Sequence, residues 1–515
     1  MNVLKDQNFG ILNAELDAQI GYVCVTGFSR FQHATPTLQI DTHTVAQAQT
    51  GLRVEVQDLK DGLPLRAGEH VKWRITYYGP VTTLSRLSVG FNLSPADENG
   101  NTPRVHPVTA DLILTLDHAK IFTSPDITTQ PVNAATWVTP PAPASIRFFS
   151  EMHPKAAAHK WYTAPRYVPE QNLVRVKEAI VSGYSAIYTR NGALLREGFR
   201  GYPYDHEFFQ RLLQEARGHI TPLHGNRVAL HGAGPPQKIP GRCMFIGTRF
   251  LGASGYHIDL TSGESLHKEP FGHWIFEYLP RLWGLHQLQN EDVRLLIPQD
   301  APDYALAQLN MLGFSSDEIV RYNPKHPAQC EELVVPSAPG CHSKFLSEQF
   351  ATFLTLFWNR ADSDTGLAKA RKTLAQTPRH KRIYVARSDV PGRRPFAAEA
   401  ALIDGLKDQG FHILAPGTVS EIEKIALFAD AELVVGPMGS GLLNLAYARQ
   451  TPKVVALVPD LMADRALSDI ATYVPMELHY IFGQSQAKTQ AEGWAAPWSI
   501  DVAQTLMAIT EIAGS

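Results

Sequence analysis

The chain has 515 residues, 44% of them hydrophobic and 19% charged, which are ordinary globular proportions that exclude disordered and fibrous classes. At about 150 residues per domain, this length implies about three folding units. A formal charge of -3 exerts no long-range pull on polyanions, which argues against nucleic acid as a partner while leaving room for a local basic pocket.

The N-terminal residues 1–19 lack a basic segment followed by an apolar core, and no window approaches the roughly 18 to 20 apolar residues of a membrane span. A cytoplasmic protein is expected, with docking to a membrane surface left open. Cys24, Cys243, Cys330 and Cys341 show no CxxC spacing, so reduced thiols fit better than a zinc knuckle or a disulfide framework.

Residues 1–150 read as short strands between turn signals: GYVCVTGF, TLQIDTH, LRVEVQDL, EHVKWRITYYG, LSRLSVGFNLS and DLILTLDH, with DENGN at 97–101 as a polar turn. Alternation such as Val71, Trp73, Ile75, Tyr77 predicts half-buried strands and an all-β, sandwich-like accessory domain. It would serve either assembly or glycan binding. The proline-rich segment 139–154 reads as a boundary.

Residues 151–370 alternate between strands and helices, with a strand pair in 172–197, a helix within 266–289, a short strand in VRLLIPQD and a long helix at 348–361. They predict a parallel α/β lobe. Residues 371–515 form a run of βα units: RIYVAR, AALIDGLKDQG, FHILAPG, SEIEKIALFADA, ELVVG, SGLLNLAYARQ and KVVALVP. A doubly wound second lobe is expected, with the last helix, near 500–513, packing back across the first.

Three clusters carry candidate chemistry. In AELVVGPMGSGLLNLAY a buried strand enters a turn with Gly436, Gly439 and Gly441, and a helix begins near Ser440. Unpaired N–H groups at such a corner suit a phosphate or diphosphate, although a plain strand-to-helix turn fits equally. The third glycine of a dinucleotide fingerprint is missing, which disfavours that site. Downstream of RIYVAR, Arg387, Arg393 and Arg394 lie where guanidinium forks can pair with diphosphate oxygens, or else decorate a surface loop. In GHWIFEYLPRLW, His273 and Glu277 share a helix face, with Arg281 one turn on. Either could act as general base; the plainer readings are a core or capping histidine and a surface Glu277–Arg281 ion pair. Asp362-Ser363-Asp364 has DxD form but follows a helix, so it reads as a linker, and no zinc-ligand spacing is present.

In this order, HWIFEYLPRL at 273–282, the arginine block at 387–394 and the glycine turn closing 410–444 resemble glycosyltransferase family 61 over residues 174–458. That family includes plant xylosyl- and arabinosyltransferases, animal O-linked N-acetylglucosaminyltransferases and bacterial capsule proteins. The resemblance implies a GT-B-like fold of two Rossmann-type lobes and an inverting, metal-independent glycosyltransferase. No cofactor is implied beyond a nucleotide-sugar co-substrate, and the acceptor would be an oligo- or polysaccharide in bacterial surface polysaccharide synthesis. Glycan-assembly partners at the inner membrane would fit that role.

By the same resemblance, Arg387 with Arg393 or Arg394 would hold the diphosphate, Gly439, Ser440, Gly441 and Asn444 would cradle it, and Glu277, beside His273, would be the base. The chain departs from the pattern at Met438, where histidine is usual, near Lys424, where glutamine is usual, and at 395–398, where asparagine is usual. A changed donor is expected, with Lys424 supplying a phosphate contact. The alternatives are a non-catalytic glycan-binding scaffold and a GT-B-fold sugar-nucleotide epimerase.

Overall fold

The computed structural model describes residues 126–149, 164–189 except 185, 236–247, and 271–514 except 290, 325, 343, 388–393, 463, 490 and 491. It also describes short segments at 195–198, 220–222 and 228–230 and eight strands within residues 1–123. The turn at 97–101 lies outside the described residues. Two compact units result, Met1–Thr123 and Ser124–Ser515.

The first unit contains two four-stranded antiparallel sheets. Each of the six strands read from the sequence is present, and Phe9–Asp17, which has no clear alternation, is added. The strands Ile127–Asn133, Thr136–Val138 and Ser145–Phe148, placed by sequence in the N-terminal domain, pair instead with strands of the second unit.

The second unit is built on two seven-stranded sheets. In the first, the parallel strands Ala328–Pro336, Gln237–Phe245, Arg294–Pro298 and Ile319–Tyr322 are neighbours. Gln171–Ser182 and Ala186–Tyr188 join antiparallel through a tight turn with Gly183 at φ 60°, so this sheet is mixed rather than parallel. In the second, Ser145–Phe148, Glu477–Ser485, Lys453–Pro459, Leu433–Pro437, Arg382–Val385 and His412–Leu414 run parallel. Such strands, covered on both faces, need apolar side chains throughout, as VVAL and LVV provide.

Alternate residues divide each sheet between two cores. Leu295, Ile297 and Val334 of the first sheet share a cluster with Ile383, Val434, Val454 and Ala456 of the second, so the faces turned toward each other meet through one helical layer. Tyr384, Val435, Val455 and Leu457 face the other way. That outer face is covered by Glu399–Asp408 and by the last helix, Val502–Gly514. This corrects the expectation that the last helix crosses to the first lobe. Ala508, Ile509 and Ile512 make an apolar stripe that matches Leu402 and Leu406, and Gly405 lets Leu506 lie directly on the neighbouring helix.

The shared layer has a polar centre. Gln308, with no exposed surface, donates to Glu421 Oε2 at 2.7 Å and accepts from Trp274 Nε1 at 2.9 Å and Tyr447 Oη at 3.0 Å. It thereby joins the helix Asp303–Met311 of the first sheet to Glu421–Ala429 and Leu442–Tyr447 of the second. Replacing it leaves three buried polar groups short of a partner, at about 1 kcal/mol or more each. Gln308→Leu is therefore expected to lower unfolding free energy by about 3 kcal/mol, read by urea denaturation; a change under about 1 kcal/mol would dismiss this hub.

Candidate functional site

The helix around His273 is irregular for a covalent reason. Phe271–His273 passes into a π turn, Trp274–Tyr278, then a 3-10 turn, Leu279–Trp283, then Gly284–Leu288. Pro280 has no N–H to give Phe276, and the N–H of Leu279 reaches back to Trp274 O, widening the turn that contains Glu277. Within that turn His273 Nδ1 lies 3.1 Å from Glu277 Oε2.

Glu277 has no exposed surface, and its other oxygen accepts the backbone N–H of His342 at 2.8 Å. Gly340 makes this second contact achievable. A Cβ there would lie 2.8 Å from Phe276 O and 2.7 Å from Leu346 Cδ1, so only glycine lets the hairpin of Gly340–Cys341 and Phe345–Leu346 sit on the π turn. The solvated Glu277–Arg281 ion pair is thus overturned. Arg281 is also fully buried and donates to the carbonyls of Glu197 and Pro336. Burial pushes its guanidinium down to about 10, which leaves it charged at neutral pH.

In the glycine turn each glycine has a different neighbour. A Cβ on Gly436 would lie 2.9 Å from Val385 Cβ, and one on Gly441 would lie 2.8 Å from Val385 Cγ1, so these two let the turn press on the adjoining strand. At Gly439, with φ 154°, a Cβ would meet Arg387 Nη1 at 3.0 Å and Arg394 Nη2 at 3.1 Å. The two guanidinium groups converge on that bare backbone. Arg387 is set by the end of its strand and by its N–H bond to Glu399 Oε1 at 2.9 Å; Arg394 adopts φ 54°, unusual for a side-chain-bearing residue. Arg393 lies outside the described residues.

The expected helix after Ser440 is a six-residue 3-10 segment, Leu442–Tyr447, too short for a macrodipole argument, so positive charge at this corner comes from the arginines. Asn444 is fully buried and donates to Gly441 O at 2.8 Å, shaping the turn from inside rather than lining it. Ser440 and Gly441 remain partly exposed. Met438 is 1% exposed and belongs to the shared core.

Lys424 does not face the arginines. It is buried, paired with Glu421 Oε1 at 2.5 Å, and its ammonium sits 4.4 Å from the centre of the Phe271 ring. These contacts tie it to Phe271, at the start of the His273 helix. Asp362 and Asp364 occupy the turn between two helices, where Asp364 caps Thr365–Leu374 by accepting from Leu367 N–H.

The clusters meet. A Cβ on Gly272 would strike Leu443 Cδ1 at 2.8 Å and approach Ser440 Oγ at 3.1 Å, so the residue before His273 lies against the glycine turn. On its other side His273 stands 5.3 Å, centre to centre, from the His342 ring. His342 Nε2 lies 3.7 Å from Asp464 Oδ2, and its ring is 6.4 Å from that of Trp494. Gly493 packs on the backbone of Leu461, and Met462 Sδ receives Arg394 Nη1. This chain of contacts closes on itself: arginines, glycine turn, His273, His342, Trp494, and back through 461–464.

Every member follows the C-terminal end of a parallel strand, the edge at which open α/β sheets bind ligands. Sequence reasoning missed His342, Asp464 and Trp494. That strand-end position was a usable signal for the first two, which follow apolar runs at 333–336 and 454–459.

Residues 271–455 match the family model described as Glycosyltransferase 61. The match spans His273, Glu277, His342, the arginines and the glycine turn, supports that family and indicates a glycosyltransferase. No curated protein matches the chain. Among the described residues, no helix is long and apolar enough to cross a membrane.

Since Lys424 and Glu421 are a buried pair, Lys424→Met strands a carboxylate in the shared layer. A loss of about 3 kcal/mol is expected in chemical denaturation, with affinity for inorganic pyrophosphate unchanged. A fall in pyrophosphate affinity at unaltered stability would return Lys424 to the anion site.

Proposed function

We propose that the second unit is an inverting glycosyltransferase of GT-B-like, two-lobed build that moves a sugar from a nucleotide-sugar donor to a glycan acceptor. The observation carrying this reading is the closed chain of contacts that sets the His273–Glu277 pair of one sheet beside the Arg387–Arg394 junction of the other. The first unit is read as an accessory β domain. Surface polysaccharide synthesis on the cytoplasmic side of a bacterial membrane is the setting that fits the resemblance.

His273 is the better base, a revision of the role first given to Glu277. A fully buried carboxylate with both oxygens engaged cannot reach an acceptor hydroxyl, whereas the His273 side chain keeps 14% of its surface. With Nδ1–H donated to Glu277, Nε2 carries the lone pair. It takes the proton of the acceptor hydroxyl as that oxygen bonds to the anomeric carbon. The bond from that carbon to the phosphate oxygen breaks on the opposite side, and its electron pair leaves with the nucleoside diphosphate. Glu277 stabilises the imidazolium that forms.

Arg387 and Arg394 would neutralise the departing diphosphate, the task a divalent cation performs in metal-dependent transferases. Binding there needs the bare backbone of Gly439. Met438 faces the core, so the departure from the family pattern alters packing beneath the turn rather than its surface.

His273→Ala is expected to cut transfer by about a hundredfold or more with nucleotide binding intact, and Glu277→Gln by about tenfold to a hundredfold. Radiolabelled nucleotide-sugar panels with excess EDTA provide the readout. Full activity in His273→Ala would remove it as base, and abolition by EDTA would remove the metal-free reading. Separately, Gly439→Ala strains a backbone at φ 154° and pushes on both guanidinium groups, so the unliganded melting temperature should fall, and the further shift that nucleoside diphosphates produce in the variant should largely vanish. An undiminished shift would place the diphosphate elsewhere.

A further inference from the structure

Trp494 and residues 461–464 of the closed contact chain lie beyond the matched segment. Trp494 is 36% exposed, on the 3-10 turn Glu492–Trp494, at the rim of the site. The turn is firmly held. Glu492 Oε2 accepts the N–H of Lys488 at 2.6 Å, Glu492 O accepts the N–H groups of Ala495 and Ala496 at 2.9 Å, and Gly493 rests on Leu461. The indole is therefore presented by rigid backbone rather than by a loose tail. Beside it His342 keeps 19% of its side-chain surface, with Asp464 behind its Nε2.

A partly exposed indole next to an imidazole whose Nε2 lies 3.7 Å from a carboxylate has the chemistry that sugar rings require. The apolar C–H face of the sugar lies on the aromatic surface, and its hydroxyls exchange hydrogen bonds with the neighbouring polar group. We propose that Trp494 and His342 form the acceptor-sugar subsite, taking a pyranose or furanose ring whose attacking hydroxyl then lies at His273. The assignment to the acceptor rests on the glycosyltransferase reading above and on order along the rim. The diphosphate anchors are Arg387 and Arg394 over Gly439, and Ser440 joins that corner to Gly272 on one side of His273. His342 and then Trp494 follow His273 along the chain of contacts, which returns to Arg394 through Leu461 and Met462. A base must touch the hydroxyl it deprotonates, and the imidazole and indole that follow His273 along the chain are the sugar-binding groups placed for that contact.

The test uses the full chain and a panel of methyl hexopyranosides, methyl N-acetylhexosaminides and methyl pentosides, with binding read by saturation-transfer NMR. The wild type is expected to saturate the ring protons of at least one glycoside. In Trp494→Ala that signal should fall at least tenfold, Trp494→Phe should recover part of it, and His342→Ala should weaken it. The melting-temperature shift caused by nucleoside diphosphates should be the same in the wild type and in the Trp494 variants.

Glycoside binding untouched by Trp494→Ala, or absent from the wild type across the panel, overturns the proposal. So does loss of the nucleotide-induced shift in Trp494→Ala with glycoside binding intact, which would make the indole a nucleobase platform. If glycosides bind through Trp494 while no nucleotide or nucleotide sugar shifts the wild-type melting temperature, the transferase reading fails and the sugar subsite stands.

Discussion

The amide of Gln308 fixes the geometry on which the rest of the site depends. It is buried between two sheets, gives its N–H to Glu421 and takes hydrogen bonds from Trp274 and Tyr447, so four elements share one polar centre inside an apolar layer. In such surroundings an unmade hydrogen bond is expensive, so the helices cannot slide past one another without losing several at once. Trp274 is next to His273, and Tyr447 closes the segment that begins at the glycine turn. One residue thus sets the spacing of the two halves of the site, and Lys424 extends the same network to Phe271.

Backbone departures from regular geometry concentrate around that centre. The π turn at Trp274–Tyr278, the close approach of Gly340, the φ of Gly439 and the positive φ of Arg394 all lie on or beneath the closed contact chain. Elsewhere in the second sheet the strands are unremarkable apolar runs. Glu178, with φ 51°, shows the same cost away from the chain of contacts, so these departures gather at the site without being confined to it. The π turn sinks Glu277 beneath the hairpin and leaves His273 partly exposed at its edge.

Charge acts differently at the two poles of the site. Arg387 and Arg394 converge on the bare backbone of Gly439, and Arg394 also reaches Met462 Sδ. Lys424 and Arg281, equally cationic in sequence, are committed to buried partners, one to Glu421 and an aromatic ring, the other to two carbonyls. Counting basic residues near a motif therefore overstates its capacity for phosphate.

The sequence by itself determined the run of βα units from 382 to 459, the strand-rich N-terminal segment, the pairing of His273 with Glu277 and the approach of glycine and arginine at a strand-end edge. These follow from period-2 and period-3.6 patterns, from glycine punctuation and from the four-residue reach of a helix turn, all of which are local. Only tertiary structure decided that Glu277 is fully buried and His273 only partly so, because a helix period does not say which side meets another hairpin. Only it showed that Lys424 faces inward, that Asn444 braces the turn, that the last helix covers its own sheet, and that 127–148 pair with the second unit. His342, Asp464 and Trp494 joined the site by the same route. Their separation along the chain holds no periodic signal, and their proximity arises where parallel strands of two sheets end at a common edge.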